Sequence, residues 1–428
     1  MILSLYRLFG VIGAPVISLY LNRRKSRGKE DLARFNERLG IAEIKRPEGA
    51  LVWLHGASVG ESISLLALIE KMTIEQPNVN YLLTTGTVTS AAMMAERLPK
   101  NVIHQYVPVD RPVYVERFFD HWKPDLVLWS ESDFWPNLIR EPARRGTPLV
   151  LINGRISPKS YAGWKRFPGF AKSLVRGFSM CLAQTETDAA RLRDLGAQHV
   201  NYVGNLKFAV KPLPADAGAL NEVRSQLADR GRWFCASTHP GEEEIIWQVH
   251  QGLAPQHSDL ITIIAPRHPD RGDAIARSLR AMGARVGRRS KGDPITGDTE
   301  VYLADTMGEM GLFFRTCPLV FMGKSLVDKG GQNPLEAASL NCTILHGPHM
   351  WNFQEIVDQL NVLGGSCPIE KEDDLKAALS GFLSSPETAH AIAEKAKTYV
   401  RSEAGVLDAV YGELKPYLDQ LGSGEAKP

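Results

Sequence analysis

Residues 56 to 60 read Gly56-Ala57-Ser58-Val59-Gly60, a literal G-x-S-x-G set between an apolar run with strand character and an apolar-periodic run with helix character. A nucleophile elbow needs that strand-turn-helix context, which makes Ser58 a candidate nucleophile. In a hydrolase, however, the elbow lies in mid-sheet, with an oxyanion-hole loop before it and the acid and histidine after it. Here the run "ALVWL" (50 to 54) is the first strand candidate, and no strand precedes it to supply such a loop. Ser58 is therefore expected to be a helix N-cap in a glycine-rich turn, with Gly56 and Gly60 allowing close backbone approach to a ligand. Glu61 then falls in the first helical turn. Two readings of it stay open, a carboxylate that only complements the helix dipole and a reactive base.

Other loops in the same position, after an apolar run, are also rich in polar groups. "SESDFWPNL" places Glu131 and Asp133 beside Trp135-Pro136; "NGRISPKS" brings Asn153, Arg155 and Lys159; "YVGNLKF" (202 to 208) brings Asn205 and Lys207. In the second half, "ASTHPGEEE" (236 to 244), "APRHPDR" (265 to 271), "DTMGEMG" (305 to 311) and "GKSLVDKGGQNPLEAA" (323 to 338) follow strand candidates. Each has a bland explanation: Asn333-Pro334-Leu335-Glu336, for example, reads as a capping box with proline at N1. Their coincidence on one edge points to a ligand site. "MGKS" (322 to 325) is not the end of a P-loop, because Pro318 stands where the first glycine is required.

The elements that must position these loops are strands alternating with helices. Strand candidates are residues 50–54, 80–85, 125–129, 148–153 and 180–184 in the first half, and 233–237, 260–265, 300–304, 318–323 and 342–347 in the second. Helical stretches separate most of them, so the fold class is α/β: two doubly wound Rossmann-like domains facing a shared cleft. "KFAVKPLPADAG" (207 to 218) reads as the linker and "GSGEAKP" as a disordered tail. The expected boundaries are 1–29 for a membrane anchor with a basic flank, 30–210 for the N-terminal domain and 211–420 for the C-terminal domain.

The anchor reading rests on charge order. "LFGVIGAPVISLYL" (8 to 21) is uncharged and is followed by Arg23, Arg24, Lys25, Arg27 and Lys29, the reverse of a signal peptide. That order fits an N-terminal membrane-anchor helix held on the cytoplasmic side, marginal in length for spanning. The segment 158–180 interleaves Lys159, Lys165, Arg166, Lys172 and Arg176 with Tyr161, Trp164, Phe167, Phe170 and Phe178. It suits either an anionic headgroup region or an ordinary amphipathic face. For the remainder of the 428 residues the balance is ordinary. A net charge of +2 predicts no nucleic-acid partner, and five cysteines without C-x-x-C spacing predict neither zinc nor disulfides.

Taken in order, "HGASVGE", "SESDFWPN", "NGRIS", "GNLKF", "STHPGEE", "PRHPDR", "DTMGEMG", "GGQNPLE" and "GPHMWNF" resemble the motif series of the bacterial 3-deoxy-D-manno-octulosonic acid (Kdo) transferases of lipopolysaccharide assembly. The resemblance runs to about residue 400. This chain departs from the usual pattern at Asp133 (usually Glu), Gly154 (Ala), Gln332 (His) and Ala337 (Pro). The resemblance implies a GT-B architecture, CMP-Kdo as donor, a lipid A precursor as acceptor, and the cytoplasmic face of the inner membrane as location. It further implies Glu61 as the catalytic base with Glu131 beside it. Arg267, His268, Met307, Gly308, Glu309, Lys324, Gly331, Asn333 and Glu336 are the implied donor contacts, Glu336 on the ribose. Acceptor contacts are expected from Ser58, Gly60, Arg155, Lys165 and Arg166.

The chemistry fits these residues. CMP-Kdo carries one phosphate and a sugar carboxylate, and the sequence offers no D-x-D loop or metal cluster, so no cofactor is expected. Helix N-termini, Arg267, His268, Lys324 and the Gly330–Asn333 loop are expected to meet the leaving phosphate. Direct displacement inverts the anomeric centre and needs one base and no enzyme nucleophile. Two alternatives stay open: a GT-B enzyme using a nucleoside diphosphate sugar, such as lipid A disaccharide synthase, and an inactive membrane-tethered nucleotide-binding protein. A tension also stands at Glu61, since a helix N-terminus lowers a carboxyl pKa whereas a good base wants it raised.

Overall fold

The strands form because their apolar runs are covered on both faces. Trp53 and Leu54 of the first strand, and Trp233 and Phe234 of the first strand of the second half, are fully buried, as parallel sheets with helices on both sides require. The computed structural model describes residues 2–131, 133–209, 212–403 and 405–422; the expected tail beyond 422 lies outside them. In the first half the strands are β1 (Leu51–Gly56), β2 (Asn80–Thr85), β3 (Val102–Tyr106), β4 (Leu126–Ser130), β5 (Leu149–Gly154), β6 (Met180–Ala183) and β7 (Val200–Tyr202). In the second they are β8 (Arg232–Thr238), β9 (Ile261–Pro266), β10 (Val286–Arg288), β11 (Val301–Leu303), β12 (Leu319–Met322), β13 (Thr343–His346) and β14 (Ser366–Pro368).

Each half is one parallel sheet, ordered β3-β2-β1-β4-β5-β6-β7 in the first and β10-β11-β9-β8-β12-β13-β14 in the second. The direction of winding reverses between β1 and β4, which pair in parallel, and again between β8 and β12. At such a reversal the loops leaving the two central strands diverge and open a crevice at their C-terminal ends. Glu61 and Glu131 follow β1 and β4, and the "ASTHPGEEE" and "GKSLVDKGG" loops follow β8 and β12. The doubly wound expectation is thus met in each half.

Four strands were not expected from sequence: β3, β7, β10 and β14, the outermost strands of the two sheets. An edge strand has one neighbour and is short or partly polar, as in "VIHQY" and "VGR", so it lacks the continuous apolar run that marks a buried strand.

One domain boundary differs from expectation. The second compact unit ends at Ser402, and helix Val406–Gly422 belongs to the first unit. The C-terminal domain therefore does not extend to 420. Val410, Leu414 and Leu418 recur every four residues on helix Val406–Gly422 and are buried in one cluster with Val52, Leu65 and Leu68. Lys71 to Asp408 (3.0 Å) and Gln76 to Asp419 (2.8 Å) fix that helix on helix Val59–Glu75.

The expected single anchor helix is two, Ile2–Ile12 and Ala14–Ser26, bent by 64°. Pro15 accounts for the break, because it lacks an N–H and its ring crowds the preceding turn. Among the described residues no single helix is long and apolar enough to cross a membrane, although the bent pair together passes on length and composition. The first helix is held to the body along a polar seam: Tyr6 donates to Asp110 (2.9 Å), Arg7 pairs with Glu116 (3.3 Å) and Arg111 donates to the Gly10 carbonyl (3.1 Å). Leu5, Leu8, Phe9 and Ile12 are left exposed, the inverse of an ordinary surface helix.

Candidate active site

At the reversal of the first sheet, Ser58 is the N-cap of helix Val59–Glu75. It accepts from the Glu61 N–H (3.3 Å) and donates its hydroxyl to Glu61 Oε1 (2.8 Å). Glu61 Oε2 accepts from the Ala57 N–H (2.8 Å). Ser58 Oγ is thus engaged on both sides by Glu61. The nearby His55 is buried, and its Nδ1 lies 2.9 Å from Thr84 Oγ1. Burial drives its pKa down to about 3 and leaves it neutral. Gly86 explains the tightness of the turn, since a Cβ there would lie 2.8 Å from the Ala57 carbonyl.

Glu61 is 8% exposed, and burial pushes its pKa up to about 7, helped by the charge of Glu131 and, more weakly, Asp133. The Ala57 and Ser58 hydrogen bonds pull the other way without winning. The tension left by the sequence is therefore resolved by desolvation, which outweighs the donors at the helix N-terminus. A carboxyl titrating near neutrality is suited to act as a base.

Glu131 follows β4 in a left-handed conformation (φ 58°), strain of the kind that collects at functional sites. Its Oε1 lies 2.8 Å from Lys207 Nζ. Lys207 sits in the short turn Leu206–Phe208, which a chain of amides holds in place. Leu206 N donates to Asn153 Oδ1 (2.9 Å), Lys207 N to Asn205 Oδ1 (2.9 Å), Asn205 Nδ2 to Gln184 Oε1 (3.2 Å) and Gln184 Nε2 to the Asn153 carbonyl (3.0 Å). Sequence reading noted Asn153, Asn205 and Lys207 without assigning them this task, and it missed Gln184. The available signal was a glutamine closing the apolar run "MCLAQ".

The pair makes a signed prediction. The base must be ionised, so kcat/KM rises with pH through the Glu61 pKa near 7. Glu131 raises that pKa, so Glu131→Gln should move the acid limb to lower pH. A pH–rate profile whose limb stays in place or moves up would contradict the coupling.

In the second half the loops after β8, β9 and β12 gather cations. Arg267 N donates to the Thr238 carbonyl (3.0 Å), and the His239 and His268 rings lie 5.9 Å apart. Burial brings the His239 pKa down to about 4, with Lys324, His268, Arg271 and Arg267 adding to it. Lys324 is likewise lowered by burial and by the charges of Arg267 and Lys329. Burial and neighbouring cations thus hold both His239 and Lys324 below their ordinary values, and a phosphate would supply the opposing charge. Gly330 (φ 94°) and Gly331 (φ 71°) shape the adjoining loop; a Cβ on Gly330 would lie 2.4 Å from Asn352 Nδ2.

Asn333 caps helix Pro334–Ser339 by accepting from Leu335 N (3.1 Å), one residue short of the bond a capping box places on Glu336. Glu336 is half-buried in that first turn. The Glu309 carboxylate is bound by Arg289 (2.7 Å) and Thr306, so Met307, exposed, and Gly308 (φ 82°) are the open part of that loop.

Among the expected acceptor contacts, Gly60 faces open space and Arg155 follows β5 directly. Lys165 and Arg166 lie at the end of helix Pro158–Lys165, and Lys165 pairs with Asp194 (3.3 Å). Phe178 is buried and Trp164 stacks on Phe170 (5.8 Å), whereas Phe167 is exposed. Most of the aromatic set thus serves packing. The structure brings Ser58, Gly60, Glu61 and Glu131 to one sheet reversal, and Arg267, His268, Lys324 and Gly331 to the other.

Residues 33–210 match the family described as 3-deoxy-D-manno-octulosonic-acid transferase (kdotransferase). The chain is 36% identical over 349 residues to the 3-deoxy-D-manno-octulosonic acid transferase of Rickettsia bellii, covering 81% of this chain and 83% of that one. It belongs to the Kdo transferase family. Another Kdo transferase, from Haemophilus influenzae, is 29% identical over 417 residues, 96% of this chain and 97% of its own. The chain is accordingly a glycosyltransferase, and the motif resemblance read from sequence is correct. A putative UDP-N-acetylglucosamine 2-epimerase from Listeria monocytogenes shares the two-domain GT-B fold at a TM-score of 0.56, covering 87% of this chain and 97% of its own. At 12% identity that likeness concerns the fold alone.

Proposed function

We propose that this Kdo transferase moves Kdo from CMP-Kdo to a hydroxyl of a lipid A precursor, with inversion and without a metal cofactor. The observation that carries the reading is Glu61, a buried carboxyl at a sheet reversal with its pKa near neutrality. The acceptor oxygen attacks the anomeric carbon and gives its proton to Glu61; the bond from that carbon to the phosphate oxygen breaks, and CMP departs. Positive charge develops on the sugar as negative charge develops on the phosphate. Arg267 and Lys324, with the His268 imidazole beside them, supply the surroundings for one phosphate, a task that a metal ion performs for diphosphate donors. Glu131, paired with Lys207, keeps a negative charge beside the base.

The first helix supports a position at the cytoplasmic face of the inner membrane. Its polar seam faces the protein, its Leu5, Leu8, Phe9 and Ile12 side chains face outward, and Arg23 and Arg27, both exposed, stand at the end of the second helix, where anionic headgroups would meet them. Purified protein with CMP-Kdo and tetraacylated lipid A precursor should yield CMP and a Kdo-bearing lipid of inverted configuration, read by mass spectrometry and NMR. Turnover of UDP-sugars but not CMP-Kdo would overturn the reading. In the same assay, Leu8→Glu with Phe9→Glu should weaken binding to anionic vesicles and raise the acceptor KM, leaving the donor KM unchanged. Unaltered vesicle binding would remove the first helix from membrane contact.

A further inference from the structure

Helix Glu242–Leu253 opens with three consecutive glutamates, and each is committed to a different neighbour. Glu243 holds Arg271 through both oxygens (2.9 and 3.1 Å) and accepts from Thr238 Oγ1 (2.8 Å). Glu244 accepts from Ser278 Oγ (3.4 Å). Glu242, fully buried, pairs with no cation among the described residues. Its Oε2 accepts from the backbone N–H of His239 (2.9 Å) and Lys324 (2.7 Å), and its Oε1 from those of Ser325 (3.0 Å) and Leu326 (3.2 Å). One carboxylate therefore ties the loop after β8 to the loop after β12, across the reversal of the second sheet.

The clamped segment is under tension. Lys324 has φ 66°, a left-handed conformation that is strained for a residue with a Cβ. Its N–H is held by Glu242 and its carbonyl by the Gly331 N–H (2.9 Å), which joins it to the Gly330–Gly331 turn. The surroundings leave no slack: a Cβ on Gly323 would lie 2.6 Å from the Ser237 carbonyl, and one on Gly347 would lie 2.3 Å from the Ser325 carbonyl. Successive N–H groups converging on an anion form a nest, and here a side chain of the protein fills it.

We infer that Glu242 is a positioning residue for the donor phosphate: by holding three consecutive backbone N–H groups it keeps Lys324 in a strained conformation and aims its ammonium into the cationic cluster. The inference rests on the reading of that cluster as the donor-phosphate site. It goes beyond that reading because Glu242 is sealed from solvent and out of reach of a bound donor. A carboxylate placed among cations would ordinarily compete with a phosphate. Spending its acceptors on backbone N–H groups lets it organise the loop without neutralising Lys324 or Arg267.

Glu242→Gln is the test, since the amide keeps the shape but turns N–H donors toward one pair of backbone N–H groups. The donor KM and the calorimetric Kd for CMP should rise about tenfold or more, with the acceptor KM within about twofold of wild type. Gly347→Ala presses on the same segment from the other side and should give the same donor-specific change, so it decides the matter if Glu242→Gln fails to fold. A lower Tm with unchanged donor KM and CMP affinity in the variant that folds would reduce Glu242 to a scaffold residue. Absence of CMP binding by the wild type would instead overturn the donor-site reading itself.

Discussion

Glu61→Gln should lower kcat by about a hundredfold or more while the fold and CMP binding survive, which is the usual size of a general-base contribution. Glutamine fits the same space and its carbonyl oxygen can still accept from the Ala57 N–H or the Ser58 hydroxyl, so the helix start is retained. What it cannot do is take a proton. The loss should persist above pH 8, where the wild-type carboxyl, with its pKa of about 7, is ionised. Single-turnover kinetics with saturating acceptor would separate this from a binding defect, since acceptor KM should change little. Activity near wild type would return Glu61 to a capping role, consistent with its reciprocal bonds to Ser58.

Lys324→Met should lower donor kcat/KM by about a hundredfold, the scale on which loss of one preorganised contact to developing charge is felt. Methionine keeps much of the apolar stem, and the backbone N–H bonded to Glu242 is untouched, so the loop should hold its course. An internal readout accompanies the kinetics. After burial, the Lys324 charge does most to hold the His239 pKa down, so its removal should raise that pKa above about 4, measurable by NMR titration. If the imidazole moves as expected while donor kinetics do not, the cations are crowded for a purpose other than binding phosphate. If neither moves, Lys324 does not belong to the cluster.

Both predictions concern residues visible in the sequence, but their weight comes from different sources. Apolar runs such as "LVWL" and "LITIIA" mark strands buried on both faces, because period and length report the surroundings of a local segment. Ser58 as an N-cap was legible for the same reason: the cap, its glycines and Glu61 lie within a single turn. The motif series was enough to indicate the family. Even the wrong expectations were local in origin. Pro15 stood in the sequence, yet the uncharged run around it read as one helix.

What only the tertiary structure decided is whatever depends on segments far apart in the chain. Strand order is the clearest case: pairing of β1 with β4 sets Glu131 beside Glu61, and periodicity carries no information on which strand becomes whose neighbour. The sign of the Glu61 shift follows from that pairing and from burial, since hydrogen bonds at the helix start alone would have lowered its pKa. The edge strands escaped notice because half-covered segments need no apolar run. The last helix looked like part of the second domain until its four-residue apolar stripe was found buried against helix Val59–Glu75. Glu242 shows the limit most plainly. In sequence it is one of three identical residues, and only the arrival of the loop after β12 at its two oxygens separates it from the others, because a buried carboxylate takes its role from the donors the fold brings to it.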